Sequence, residues 1–298
     1  MSVALDEIGS FLAMQGRILD RRRFDVVTGR GGDAAATLQA LNAYRNADGG
    51  YGRGLEPDLR ALESQPAGAL HAFEVLAELR PQTSDEAVAL CDWLDAASLP
   101  DGGLPFALPL ADPSGCAPFW AGAETDTSSL HISAAVAAQA HEVGAHDRRV
   151  ALHPWLRRCT RFCLAAIDAL EGGGHALELM FCVRFLDAVH DVEPEAPKLM
   201  ARLGGFLPAS GLLHVAGGRD DEMMRPLDFA PRPERPARRL FDASVIEAEL
   251  DRLEAARASD GGWPLEWDSY SPAAAVEWRG YVTVGAVKIL RANGRLED

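Results

Sequence analysis

The tripeptide Asp-Gly-Gly recurs along this chain, each time at the end of an apolar stretch of helical length. The copies are Asp48-Gly49-Gly50-Tyr51, Asp101-Gly102-Gly103-Leu104 and Asp260-Gly261-Gly262-Trp263. Ser210-Gly211-Leu212 reads as a degenerate copy, and Glu171-Gly172-Gly173 is a further candidate. Asp48 and Asp101 are about fifty residues apart, and so are Ser210 and Asp260, a period that marks a repeat architecture. Glycine supplies the left-handed backbone that ends a helix. Aspartate accepts hydrogen bonds from the amides of the turn. The large residue that follows can pin the turn against the next unit.

Between the turns the chain reads as helix throughout, with no convincing alternating strand pattern. The expected helices cover roughly 3–20, 33–46, 66–79, 84–97, 127–143, 151–170, 175–190, 195–206, 244–258 and 272–292. They pair as hairpins. In each, a first helix ends at the Gly turn, a loop follows, and a second helix returns. The second helices, such as Thr127–Val136 and Tyr281–Val287, are rich in Ala, Ser, Thr and Val and less amphipathic. A helix apolar on most sides is buried on most sides. The economical arrangement is an all-α toroid, an α/α barrel with the second helices inside and the first helices outside. It is expected as a single domain over residues 1–298. Residues 207–241 break the pattern with Pro226, Pro231, Pro233 and Pro236 among Arg232, Arg235, Arg238 and Arg239. An irregular strap is expected there.

The net charge of −15 over 298 residues argues against nucleic acid as a partner, because a nucleic-acid groove needs a basic stripe. It also argues against docking on an anionic membrane. No apolar run reaches transmembrane length, so membrane insertion is not expected, and Met1–Ser10 has no apolar leader core. Five cysteines without framework spacing fit a reducing, cytoplasmic setting.

Hairpins closed by Asp-Gly-Gly-aromatic turns resemble the repeats of the terpenoid cyclase and protein prenyltransferase superfamily. The likeness is carried best by Asn46–Leu79 and Asp260–Leu290. It implies an α/α toroid. It constrains activity less, because that fold hosts cyclases, prenyltransferases and non-enzymatic binding proteins.

An acidic pair follows each well-formed turn: Glu56 and Asp58, Glu124 and Asp126, Glu266 and Asp268. Coupled carboxylates hold one proton at an elevated pKa, which suits a general acid. As helix caps and turn braces, the same residues would serve structure alone. Squalene–hopene-type cyclases carry an Asp-x-Asp-Asp-Thr motif at the start of an inner helix, and its middle aspartate protonates an alkene or epoxide. The matching positions here read Glu124, Asp126 and Thr127. The middle acid is kept, the first is replaced by glutamate and the third is absent. The resemblance therefore implies Asp126 as general acid, Glu124 as its partner and His131 as a proton-sharing neighbour. His175 is a second candidate base.

Other positions suit ligand binding. The segment 52–66 gathers Arg53, Glu56, Asp58, Arg60 and Gln65 among glycines and Ser64. Its arginines suit phosphate or carboxylate, Ser64 an N-cap, and Gln65 the cavity mouth. Equally, the segment could be a self-bonded loop. Near the C-terminus Trp267, Tyr270, Glu277, Trp278 and Arg279 combine aromatics with an expected Glu277–Arg279 ion pair. Aromatic faces stabilise cations and stack on sugars. They are also core material. No Asp-Asp-x-x-Asp run and no Asp-x-Cys pair with a distant histidine is present, so no metal and no cofactor is expected. Cys159 and Cys163, one helical turn apart, are more readily buried free thiols than ligands.

The leading expectation is a terpenoid-cyclase-like lyase or isomerase acting on a hydrophobic, isoprenoid-type small molecule. The alternatives are a carbohydrate-active α/α-barrel hydrolase or lyase using paired carboxylates, and a non-catalytic toroid that binds a small molecule or partner.

Overall fold

The computed structural model describes residues 3–296, and it is all-α apart from one two-stranded ladder. The helices are α1 Val3–Gln15, α2 Ile18–Thr28, α3 Ala34–Asn42, α4 Pro66–Glu78, α5 Asp85–Ala97, α6 Pro118–Ala121, α7 Leu130–Gly144, α8 Arg148–Ala151, α9 Pro154–Asp168, α10 Ala176–Val189, α11 Ala196–Gly204, α12 Pro226–Phe229, α13 Ala243–Ala255 and α14 Pro272–Ala292. The irregular segment after α11 carries the antiparallel pair β1 Leu213–His214 and β2 Met223–Met224, then α12 and a 3-10 turn at Pro236–Leu240. None of the described helices is long and apolar enough to cross a membrane.

The three Asp-Gly-Gly turns are built alike. Asn46, Leu99 and Ala258 each donate their backbone N–H to the carbonyl of the second glycine, at 2.9, 2.9 and 2.8 Å. The first glycine holds φ at 93°, 93° and 96°, a region that glycine alone enters freely. The aspartate Oδ1 accepts the N–H of the second glycine at 3.0, 3.0 and 3.1 Å. Ser210-Gly211-Leu212 is a true degenerate copy. Gly211 has φ 69°, its N–H reaches Pro208 O at 2.8 Å, and Ser210 Oγ accepts the Leu212 N–H at 3.3 Å. Glu171-Gly172-Gly173 is not a copy. There the left-handed residue is Gly174, and a side chain on Gly172 would meet nothing within 4 Å.

Each turn also seats on a following helix. A Cβ on Gly49 would lie 3.1 Å from Ala89 O, and on Gly102 3.0 Å from Arg158 O. On Gly261 it would lie 2.6 Å from Glu7 O. A Cβ on the second glycine would strike an aromatic ring in each case: Trp93 on α5, Phe162 on α9 and Phe11 on α1. The turn at Asp260 thus takes α1 as the neighbour that the first two turns find further along the chain.

The chain divides into two compact units, one spanning Asn42–Leu207, the other joining the chain up to Leu41 with the chain from Pro208 onward. In the Asn42–Leu207 unit, α4 packs on α7 and α7 on α10, while α5, α8 and α9 pack outside them. Every residue of α4 except Glu78 is buried, whereas α5 buries only one face. The Ala-rich second helices are therefore the more enclosed, because small side chains let backbones approach closely. The same order holds for α14 against α13 in the other unit.

That second unit centres on Leu5, Ile8, Phe11, Phe24, Ile246, Leu250, Trp263, Val284, Val287 and Leu290. The helix expected over 3–20 breaks at Gly16 and Arg17, and α2 follows. The Arg21 Nε satisfies the carbonyls freed by the break, donating to Leu12 O at 3.0 Å and Gly16 O at 3.2 Å. Asp20 is fully buried between Arg17 and Arg23.

Candidate functional site

The polar residues that stand out lie at the N-terminal ends of α4, α7 and α10. The loop after the first turn folds back on itself, with Arg53 in a left-handed conformation at φ 56°, and delivers Glu56 and Asp58 into the interior. Both are buried. Glu56 Oε1 accepts the Asp58 backbone N–H at 3.2 Å. Its Oε2 lies 2.7 Å from His71 Nε2 on α4. The opposite ring nitrogen, Nδ1, lies 3.0 Å from Glu74 Oε2. Burial alone would discharge this imidazole. The Glu74 charge and the hydrogen bonds to Glu56 and Glu74 outweigh it and raise the His71 pKa to about 9. At neutral pH the His71 ring is an imidazolium held between the two glutamate side chains.

A second cluster lies on the excursion between Leu104 and α7. Phe106 stacks on Trp120 with centroids 4.4 Å apart. The His131 ring meets Phe106 edge-on at 5.4 Å and Phe181 of α10 at 5.0 Å. Burial, reinforced by His175, lowers the His131 pKa to about 4, so this imidazole is neutral. Burial also raises the Glu178 pKa, against the opposing effects of His175 and the His131 backbone N–H. The two clusters share a scaffold. Ala117 donates its N–H to Asp58 O at 2.8 Å. Leu59 bridges to Cys116, and Gln65 holds Leu108 through both its amide groups.

Several expected site residues stand elsewhere. Glu124 and Asp126 are exposed on the loop before α7. That helix starts at Leu130, three residues later than expected, and its cap is Ser129. The desolvated acid expected at Asp126 is therefore not formed. The acidic pairs are also not equivalent. Ser64 and Ser128 correspond, each donating its hydroxyl to the turn aspartate at 2.8 and 2.6 Å. Glu56 and Asp58 stand farther ahead of Ser64 than Glu124 and Asp126 stand ahead of Ser128. Ser64 braces Asp48 instead of capping α4, and Gln65 is buried in its bonds to Leu108 instead of facing the mouth. Arg60 is half-buried, and Arg53 is exposed and bonded to Asn46 Oδ1 at 2.9 Å.

The depression of about 500 Å³ beside the first turn includes Arg53, Leu62, Trp93 and Leu108. Its polar walls are already engaged: Asp48 holds both Ser64 and the Trp93 indole.

In the other unit Arg279 makes two 3.0 Å bonds to Asp260 and lies over Phe11. It braces the third turn and does not form the expected pair with Glu277. Glu266 is held by Arg225 at 2.8 Å and Arg252 at 2.6 Å, which makes it structural. Trp278 packs edge-on against Trp267 and Tyr281, and Tyr270 is exposed. Among the described residues no group of three or more His, Cys, Asp or Glu is placed to hold a metal. Cys159 and Cys163 are buried thiols, and burial followed by the Cys159 contact raises the Cys163 pKa.

Sequence reasoning missed His71 and Glu74, although a histidine and a glutamate one turn apart in an otherwise apolar helix were a usable signal. It also missed Phe106, Trp120 and Phe181, which come together only in three dimensions.

No family model and no curated protein matches the sequence. Among solved structures, a protein from Actinoplanes is similar over 98% of each chain, with a TM-score of 0.58 and 15% identity. That likeness concerns fold alone.

Proposed function

We propose that this chain is a terpenoid-cyclase-like isomerase or lyase that performs acid–base chemistry on a hydrophobic small molecule, with isoprenoids as the substrate class. The Glu56–His71–Glu74 array holds the proton. The observation that carries this reading is a buried imidazole bonded to carboxylates through both nitrogens, with its pKa raised to about 9. His131, lowered to about 4, is the matching base. Two titratable groups pushed apart by their surroundings are the usual mark of an acid–base pair. Both imidazolium N–H groups are donated to Glu56 and Glu74, so the proton reaches a developing oxyanion or enolate by relay through one of these carboxylates, and an unactivated alkene is too weak a base to receive it. The chemistry therefore moves from alkene protonation by Asp126 to proton transfer at a polar functional group.

The toroid belongs to the same proposal. Its support is the turn at Asp260, which seats on α1 as the earlier turns seat on α5 and α9. Glycoside hydrolysis is less favoured. It needs two carboxylates facing across an open groove, and Glu56 and Glu74 share one histidine instead.

The test is incubation with isoprenoid aldehydes, ketones and alcohols in D₂O, read by mass spectrometry. Deuterium uptake or isomerisation by the wild type, lost in His71→Gln, is the expected result. Equal turnover by both proteins, or cleavage of oligosaccharides instead, would overturn the reading. Tight binding without turnover would identify a binding protein.

A further inference from the structure

The indole N–H of Trp120 is buried without a hydrogen-bond partner. A buried donor left unpaired costs about 1–3 kcal/mol, and such groups in folded proteins call for an explanation. Trp155 Nε1 is also unpaired, but that ring is fully enclosed on α9 and stacks on Phe73. Trp120 differs in its setting. It lies on the short α6 beside Phe119, which is 59% exposed, and its face is covered by Phe106. Phe106 in turn touches His131, whose ring nitrogens take no hydrogen bond among the described residues. One unsatisfied donor, the Trp120 indole N–H, thus stands against aromatic rings that also meet the His131 imidazole. Glu178 adjoins His131, and Glu56, Asp58 and Glu74 are held on the same scaffold. Against them stand the His71 imidazolium and the half-buried Arg60, so carboxyl groups outnumber cationic groups on this scaffold.

We propose that Phe106, Trp120, His131 and Phe181 form a ligand site for an uncharged, largely apolar molecule carrying a hydroxyl or carbonyl oxygen. That oxygen accepts the Trp120 indole N–H. The apolar remainder lies against the phenylalanine rings, and the local carboxylates repel anionic head groups such as diphosphate. The site deepens the functional reading above by naming the substrate class, and it rests on that reading. It does not require His71 to transfer a proton, so the two readings fail separately.

The experiment is a ¹⁵N–¹H titration of tryptophan-labelled protein with geraniol, with the hydrocarbon myrcene and with geranyl diphosphate. Trp120→Phe identifies the Trp120 indole peak. Geraniol should move that peak downfield, leave the Trp155 peak in place and bind about tenfold tighter than myrcene, the worth of one hydrogen bond to a buried donor. Trp120→Phe should erase the preference while still binding myrcene. An unmoved Trp120 indole, equal affinity for geraniol and myrcene, or tighter binding of geranyl diphosphate would each overturn the site. If Trp120→Phe folds poorly, nuclear Overhauser contacts to the stacked Phe106 ring assign the Trp120 peak in the wild type, and its shift decides the matter.

Discussion

The imidazole Nε2 of His71 lies 2.7 Å from Glu56 Oε2 and ties α4 to the loop that follows the first Asp-Gly-Gly turn. Glu74 closes the other side of the ring one helical turn away. Two buried glutamate side chains thereby meet on one imidazole.

Removing the His71 side chain should be costly. His71→Gln removes the cation that Glu56 and Glu74 both contact, and breaking such a buried pair costs about 3–5 kcal/mol. Urea denaturation at pH 7 should show a loss of that order. A loss below about 1 kcal/mol would mean that the array contributes as little as an exposed pair.

Stability should also depend on pH through His71. Its folded pKa, about 9, is above the ordinary 6.5, so folding favours the protonated form. The contribution is complete below pH 6.5 and falls away as pH rises through 9. Melting temperatures over this range should decline in the wild type, and the decline should be smaller in His71→Gln. Identical slopes in the two proteins would place the proton elsewhere.

The glycines of a true turn should be unequal to those of a false one. A Cβ on Gly50 would lie 2.6 Å from both Ser64 Cβ and the Trp93 ring, so Gly50→Ala should destabilise by about 1–3 kcal/mol through overpacking. Gly172→Ala meets nothing within 4 Å and should be nearly neutral. Thermal unfolding of the two variants checks the difference.

Asp126→Asn should alter stability by no more than about 0.5 kcal/mol, as expected for an exposed position, and should leave turnover unchanged. Selective loss of turnover in this variant would restore the acid that the cyclase resemblance suggested.

The repeat was legible because its chemistry is local. Asp48, Gly49 and Gly50 satisfy one another within a few residues, and the same letters recur wherever the same turn is built. The helices expected over 84–97 and 272–292 followed from periodicity, and α5 and α14 match them to within one residue. The break at Gly16 was hidden because Arg21, from the next helix, supplies the donors that the turn lacks. The acidic pairs misled because letters that recur at similar places in a repeat need not share a register, and Asp126 is in solvent while Asp58 is inside. His71 and Glu74 carried a sequence signal, but their partner Glu56 lies in another element. Trp120 and Phe181 meet His131 only through packing of distant segments.

The most direct measurement is the titration of His71 by NMR in histidine-labelled protein, assigned with His71→Gln. A proton held between Glu56 and Glu74 predicts a midpoint near pH 9 and an imidazolium with both N–H groups present at pH 7. A midpoint at or below the ordinary 6.5 would mean that His71 is neutral in the folded chain, and the proton-holding array would be contradicted.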